Sequence, residues 1–240
     1  MPMETLKYKI SKFFEDVKFT EENHQYKVGG SPLSSSVSGK IKDLVPHVNF
    51  DEIALRKDTK LGFPLGTHKS LWKNNSDLAC AKGNKAHFFG EIYAFNRNLK
   101  PTDGYEVAIK KFWDELPKFI IPLFTELVMY HKDYMFGGTA DIICLDTRDN
   151  SLIIMDYKTN SELYKHFKNN TLKAPFKFLD ETNFSKYELQ FSFYQILLEQ
   201  VPGVKIKARR LVWIKDDGSY ELLKTIDYTE HLKKYMNENY

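Results

Sequence analysis

Cysteine is nearly absent: the 240 residues hold two, Cys80 and Cys144. That excludes a disulfide framework, and it excludes a four-cysteine iron–sulfur cluster within the chain. A dominant charge is also missing, since Lys+Arg 35 against Asp+Glu 32 leaves a formal charge of only +3. No overall basic field announces a nucleic-acid partner, so basic residues must be read cluster by cluster. There is no apolar run long enough to cross a bilayer, and the opening residues lack the basic start and apolar stretch of a secretory signal. No membrane partner and a soluble, reducing compartment, the cytoplasm, are therefore expected. Internal repeats and low-complexity stretches are lacking too. What the chain does have is 42% hydrophobic residues, enough for one sizeable core.

The most informative segment is a β-hairpin. Gly138-Thr139-Ala140-Asp141-Ile142-Ile143-Cys144-Leu145-Asp146 reads as a strand, Thr147 to Asn150 has turn composition, and Ser151-Leu152-Ile153-Ile154-Met155-Asp156-Tyr157-Lys158 reads as the returning strand. A four-residue loop sets Leu145 opposite Leu152, Ile143 opposite Ile154, and Asp141 opposite Asp156. Like charges directly opposed on one face repel, and a cation between them would remove the penalty. Alternation puts Lys158 on the same face as Asp156, one pleat further along. Two carboxylates and an ammonium at one end of an apolar hairpin suit metal-dependent phosphodiester chemistry. Asp-x-Lys alone also fits a solvated strand end, and Cys144 is most simply a small core residue.

Two further motifs flank the hairpin. Upstream, Gly83 to Phe95 has apolar residues at 86, 88, 89, 92 and 95, a helical spacing that puts His87 and Glu91 on one face. A neutral imidazole is a competent ligand for Mn²⁺ and tolerable for Mg²⁺. Downstream, Tyr187 to Glu199 reads as an amphipathic helix with Gln190 and Tyr194 one turn apart, an amide and a phenol able to meet phosphate oxygens or a base. Each of these also has a plain structural reading, on a helix surface or at the edge of a core.

In this order, Gly-x-x-x-His with a downstream Glu, Gly-Thr-x-Asp, Asp-x-Lys and Gln-x-x-x-Tyr resemble the RecB-like branch of the PD-(D/E)xK nuclease superfamily, in the manner of stand-alone phage and mitochondrial exonucleases. The resemblance spans about residues 20 to 225. It implies an α/β fold, a restriction-endonuclease-like core with a mixed central β-sheet flanked by helices. It also implies His87, Asp141, Asp156 and the backbone carbonyl of Tyr157 as ligands for one or two Mg²⁺ or Mn²⁺ ions. Asp141, Asp156 and Lys158 become the catalytic residues, with Gln190 and Tyr194 supporting substrate and active site. The chain departs from the superfamily's name in having Ala140 before Asp141 and Asp156 as its second acid. Two cysteines set it apart from the iron–sulfur relatives. The expected activity is DNA exonuclease, serving recombination, repair or replication, with a structure-specific endonuclease or a non-catalytic DNA-binding subunit as alternatives. The expected partners are DNA that is single-stranded or has free ends, and a single-strand-binding or annealing protein. For a phage-encoded enzyme the compartment is the bacterial cytoplasm.

DNA contacts are expected outside the metal site as well. Lys165, Lys168, Lys173 and Lys177 alternate with Tyr164, His166, Phe167, Phe176 and Phe178. That interleaving suits a flap over a strand, or else a solvated loop whose aromatics tuck into the core. Ser34 to Ser36 precede a helix containing Val37, Ile41 and Leu44, so a hydroxyl there caps the helix or, as assigned to Ser36, meets a phosphate. The remaining plan is a glycine-turn hairpin over His24 to Leu33, a partly helical stretch from 50 to 80 anchored by Trp72, and a helix ending near Leu116. A strand over Leu123 to Tyr130 follows, then a hairpin around Asp216 to Ser219 and a closing helix. The chain is expected to be a single domain over 1–240, with about 1–80 an N-terminal elaboration, about 81–226 the catalytic core, and 227–240 a C-terminal helix.

Overall fold

The computed structural model describes residues 3–166 and 170–239. In chain order the elements are α1 (Met3–Phe13), β1 (Val17–Thr20), β2 (Gln25–Val28), β3 (Ser31–Pro32), β4 (Ser35–Ser36), α2 (Val37–Leu44), α3 (Phe50–Leu61), α4 (Thr67–Phe95) and α5 (Gly104–Glu115). Then come β5 (Ile120–His131), β6 (Phe136–Asp146), β7 (Ser151–Lys158), α6 (Asn183–Glu199), β8 (Ile206–Ile214), β9 (Tyr220–Lys224) and α7 (Thr229–Asn239). The architecture is α/β, with a mixed central sheet flanked by helices.

The sheet runs β4-β6-β7-β8-β9, with β5 along the other edge of β6. β7 and β8 are parallel and joined through α6, whereas β5, β6 and β7 form an antiparallel meander. The run Leu152-Ile153-Ile154-Met155 in β7 is continuously apolar because both its faces are covered. Leu152 and Ile154 look toward α1, α2, α6 and α7, and Ile153 and Met155 toward α4 and α5. Cys144 is fully buried on the second side, a core residue as its strand position suggested.

The β6–β7 hairpin has the expected register. Ile143 faces Ile154, Leu145 faces Leu152, and Asp146 faces Ser151, with Asn150 in the left-handed region closing the four-residue loop. Pairing stops at Ile142 and Met155. Beyond that point β6 is paired on this side only at its start, where β4 lies alongside Phe136 and Gly137. Residues 138 to 141 of β6 therefore border an opening in the sheet.

Two sequence expectations need correction. The helix bearing His87 begins at Thr67, not near residue 83, and with α3 it forms a helical hairpin whose outer half is largely exposed. A boundary at about residue 80 thus falls inside α4. The inward face of α4 is Ala86, Phe89, Gly90, Tyr93 and Ala94, while Phe88 and Phe95 point outward. The apolar spacing had found the helix but mixed its faces. In addition, Pro122 lies within β5 rather than before it, at a bulge on an edge strand where its missing N–H costs no ladder bond. Trp72 does serve the hairpin, with its ring near His68 and Lys57.

Asp58 closes the α3–α4 turn from inside. Its buried carboxylate accepts hydrogen bonds from the backbone N–H groups of Gly66 and His68 and lies 2.5 Å from His68 Nδ1. Gly90 fixes how α4 meets the sheet. A Cβ there would lie 2.4 Å from the Tyr157 ring, and that ring is held by Trp113, whose Nε1–H donates to the Tyr157 hydroxyl at 2.6 Å. Gly90→Ala should therefore destabilise the fold by about 1–3 kcal/mol through overpacking, read by urea denaturation. An unconstrained helical position would instead gain up to about 1 kcal/mol from alanine. A gain would mean that Tyr157 is free to move.

Candidate metal centre

Beyond the last β6–β7 pair, continuation of the register brings Asp141 level with Asp156. A ladder bond is replaced there by a different one: the backbone N–H of Tyr157 donates to Asp141 Oδ2 at 3.1 Å. His87 reaches the same oxygen from α4, with Nδ1 at 3.0 Å. Lys158 Nζ lies 2.5 Å from Asp156 Oδ1 and 4.6 Å from the Tyr187 ring centroid. The hairpin thus joins Asp141, Asp156 and Lys158 as its sequence implied, and α4 adds His87.

Glu126 completes the group and was missed. On β5, Thr125 pairs with Ile142 and Leu127 with Ala140, so Glu126 stands level with Asp141 on the strand's other side. One donor atom each from His87, Glu126 and Asp141 lie within 4.8 Å of one another, and Glu126 sits on the exposed rim. Its φ of 50° is in the left-handed region, which for a glutamate inside a strand costs on the order of 1 kcal/mol and turns the side chain out of the regular alternation. Strand alternation therefore could not have found it. The only available signal was an acid isolated in an apolar edge strand.

Asp156 stands outside that three-residue set. It is 1% exposed, its Oδ1 is paired with the Lys158 ammonium, and its Oδ2 has no hydrogen-bond partner among the described residues. A buried carboxylate oxygen without a partner is costly. Together with the three converging donors, the Asp156 carboxylate on the neighbouring strand makes an oxygen-rich, one-imidazole set of the kind that hard divalent cations take.

The electrostatics follow from this crowding. Burial and then the Asp141 charge push the Asp156 carboxyl above its usual range, against the pull of Lys158. Burial and the same Asp141 charge lift Glu126 to about 7. Burial works against charge on His87, but Asp141, by attraction and hydrogen bond, outweighs it and raises the imidazole to about 9. Asp141 would be raised by burial, yet His87 and Lys158 hold it well below the carboxylate range. Burial opposes the Lys158 ammonium too, and Asp156 and Asp141 overcome it, so Lys158 stays protonated.

The other assigned positions fall into different roles. Tyr194 is buried behind the two aspartates, and its hydroxyl accepts a hydrogen bond from Gln190 Nε2 at 2.7 Å. Neither residue lines the cleft above the candidate centre; both lie behind it, where they can support the aspartates. The Ser36 hydroxyl accepts the Gly39 N–H and caps α2, which leaves plain capping as its role. Lys165 does border the cleft, but Lys173 is turned away: its Nζ donates to the Asp43 carbonyl. Lys168 and Phe167 lie outside the described residues. The supposed flap is held down by Leu163, Leu172, Phe176 and Leu179 in the core and by the Thr171–Asp180 bridge, and Phe178 packs near Tyr228 and His231 on the α7 side. The burial of those side chains outweighs the freedom a flap would need.

The cleft over the site has a volume of about 1550 Å³. Its walls come from the β1–β2 hairpin, the exposed face of α4 and the segment after β7, with Lys158 and Tyr157 at the base. Among the described residues, no helix is long and apolar enough to cross a membrane. No family model matches the chain, and no curated protein matches it either.

The raised groups set the sign of the metal-free protein's pH response. Glu126 binds a proton more tightly folded than unfolded between about 4.5 and 7, and His87 does so between about 6.5 and 9. In both windows the native state carries the extra proton, so stability falls as pH rises. Urea denaturation in EDTA should give a more stable protein at pH 5.5 than at pH 9. His87→Ala should flatten the upper half of that slope and Glu126→Gln the lower half. Parallel slopes in all three proteins would sever these groups from the folding equilibrium.

Proposed function

We propose that the chain is a divalent-metal-dependent deoxyribonuclease with a PD-(D/E)xK-type core, hydrolysing phosphodiester bonds and acting as an exonuclease in recombination, repair or replication. The observation that carries this reading is the convergence of Asp141, Asp156, His87 and Glu126 at the point where β6 and β7 part, with Lys158 alongside. Mg²⁺ or Mn²⁺ would be held by His87, Glu126 and Asp141, with the Asp156 carboxylate and the Tyr157 carbonyl as further ligands. When bound, such an ion neutralises charge on the phosphate and makes a water a better nucleophile.

The chain's own groups account for the rest. Lys158 is kept protonated by two aspartates and steadied by the Tyr187 ring, so it offers a fixed positive charge to a non-bridging phosphate oxygen as charge builds there. That makes an electrostatic role its first assignment, ahead of proton abstraction. The His87 imidazolium balances Asp141 in the metal-free chain and must lose its proton to become a ligand. Tyr157 fixes Asp141 through its N–H, while its ring is wedged between Gly90 and Trp113. The network under the site is thus continuous with the core.

Two measurements test this. Mn²⁺ at 100 times its pH 8 dissociation constant should stabilise the wild-type protein by about 2.7 kcal/mol at pH 8, the same concentration should stabilise it less at pH 6 because ligand protons must leave, and Asp141→Asn should lose most of that gain. End-labelled linear and closed circular DNA, single- and double-stranded, should be digested with Mg²⁺ or Mn²⁺ and not with EDTA. Products from ends alone would mark an exonuclease, and cut circles an endonuclease. Lys158→Ala should bind DNA within about threefold of wild type and cleave about 10²- to 10³-fold more slowly. Cleavage in EDTA, or a near-wild-type rate for Lys158→Ala, would sink the mechanism.

A further inference from the structure

Phe19 and His24 do nothing evident for the fold. Phe19 pairs with Tyr26 across β1 and β2, their ring centroids 4.7 Å apart and tilted by 39°. Yet Phe19 packs into neither hydrophobic core, although Tyr26 borders one of them. His24 is exposed, set in the left-handed conformation with φ 48°, and its ring lies 5.9 Å from Phe19. All three side chains line the cleft above the metal centre.

This wall is anchored to the site. The Tyr26 hydroxyl and Thr139 Oγ1 are hydrogen-bonded at 3.0 Å, and Thr139 precedes Asp141 by two residues on β6, about 7 Å along a strand. Gly137 allows the approach, since a Cβ there would come within 2.5 Å of the Tyr26 ring. The aromatic wall is therefore held about one nucleotide step from the carboxylates. Lys82, Lys158 and Lys165 line the cleft among Glu21, Glu91, Glu126 and Glu162, so phosphate contacts there are local ones to single lysines, not a basic field, and the aromatic wall carries correspondingly more of the binding.

We infer that Phe19 and His24, backed by Tyr26, form a stacking site for one unpaired base of single-stranded DNA next to the phosphate being cleaved. The inference rests on the nuclease reading and narrows its substrate. Aromatic faces stack any base without regard to sequence. A base inside a duplex is already stacked and paired, and moving it onto this wall would cost a few kcal/mol of unpairing. The cleft thus favours single strands or frayed ends over intact duplex.

The test is binding of a fluorescent single-stranded oligonucleotide, its duplex, and an all-abasic strand of equal length, with Ca²⁺ in place of Mg²⁺. Phe19→Ala should weaken single-strand binding roughly tenfold, and duplex and abasic binding less than twofold, with an unchanged melting temperature. Phe19→Trp should restore the affinity, and Phe19→Leu, which keeps bulk without a π face and guards against a folding defect, should not. The stacking site is overturned if Phe19→Ala and Phe19→Leu bind single strands like wild type, or if they lose as much on the abasic strand. Wild type that binds no DNA at all would remove the nuclease reading and this one together. Normal binding and cleavage with an inert Phe19 would remove this one alone.

Discussion

Everything at the working end of this molecule depends on three acids placed level with one another across adjacent strands. Glu126, Asp141 and Asp156 occupy one row of β5, β6 and β7. Like charges directly opposed on a sheet repel, and here Asp156 is buried, Asp141 half-buried and Glu126 on the exposed rim. The sheet responds by ending the β6–β7 ladder one residue early and giving the Tyr157 N–H to Asp141 instead of a carbonyl. Glu126 responds by leaving the regular strand conformation. Both are departures from local preference, and such departures are expected where function rather than stability chose the residues. The rest of the fold holds them in place: Gly90 and Trp113 fix Tyr157 from one face, and Tyr194 with Gln190 backs the aspartates from the other.

How much of this was legible in the sequence depended on whether local rules governed the residue. The Asp141–Asp156 register was readable because a period of two and a four-residue loop fix it, and a slip would have thrown Ile143, Leu145, Leu152 and Ile154 to the wrong face. His87 was readable from helical spacing. The extent of its helix was not, because the outer half of α4 is largely exposed and carries no consistent apolar stripe. α1 was not foreseen, although Leu6 and Ile10 lie one turn apart and are both buried. Glu126 could not be read at all, since its place follows from a bulge after Pro122 and a positive φ that no pattern announces.

The polar positions assigned away from the hairpin show the opposite failure. Ser36, Lys173 and Tyr194 have the right chemistry for a substrate, but each already has a partner within the fold: the Gly39 N–H, the Asp43 carbonyl and Gln190. Residue type says what a side chain could bind, whereas tertiary structure decides whether it is still available. Basic and aromatic alternation misleads in the same way. Leu172, Phe176 and Leu179 are core residues that tie the segment down, and Lys173 and Lys177 beside them are its exposed outside. The cleft wall with the least to do for the fold, Phe19 and His24, is not marked in the sequence because the glycine turn identifies only the β2–β3 hairpin, while Phe19 lies on β1 before it.

Charge balance ties these observations into one mechanism. In the metal-free chain the three acids are offset by two side-chain cations, the His87 imidazolium and the Lys158 ammonium, and by the raised proton affinities of Asp156 and Glu126. In the proposed mechanism a divalent ion entering the cluster would take over what the His87 proton and any carboxyl proton supply, so its binding is an exchange of protons for metal. Lys158 is different. It lies beside Asp156 rather than among His87, Glu126 and Asp141, and its proton is held more firmly than the solvent can remove near neutrality. On the proposed mechanism, the one cation that survives the exchange is therefore the one whose charge would remain available to a developing phosphate anion, and the separation of Asp156 from the three-residue set is what would keep it so.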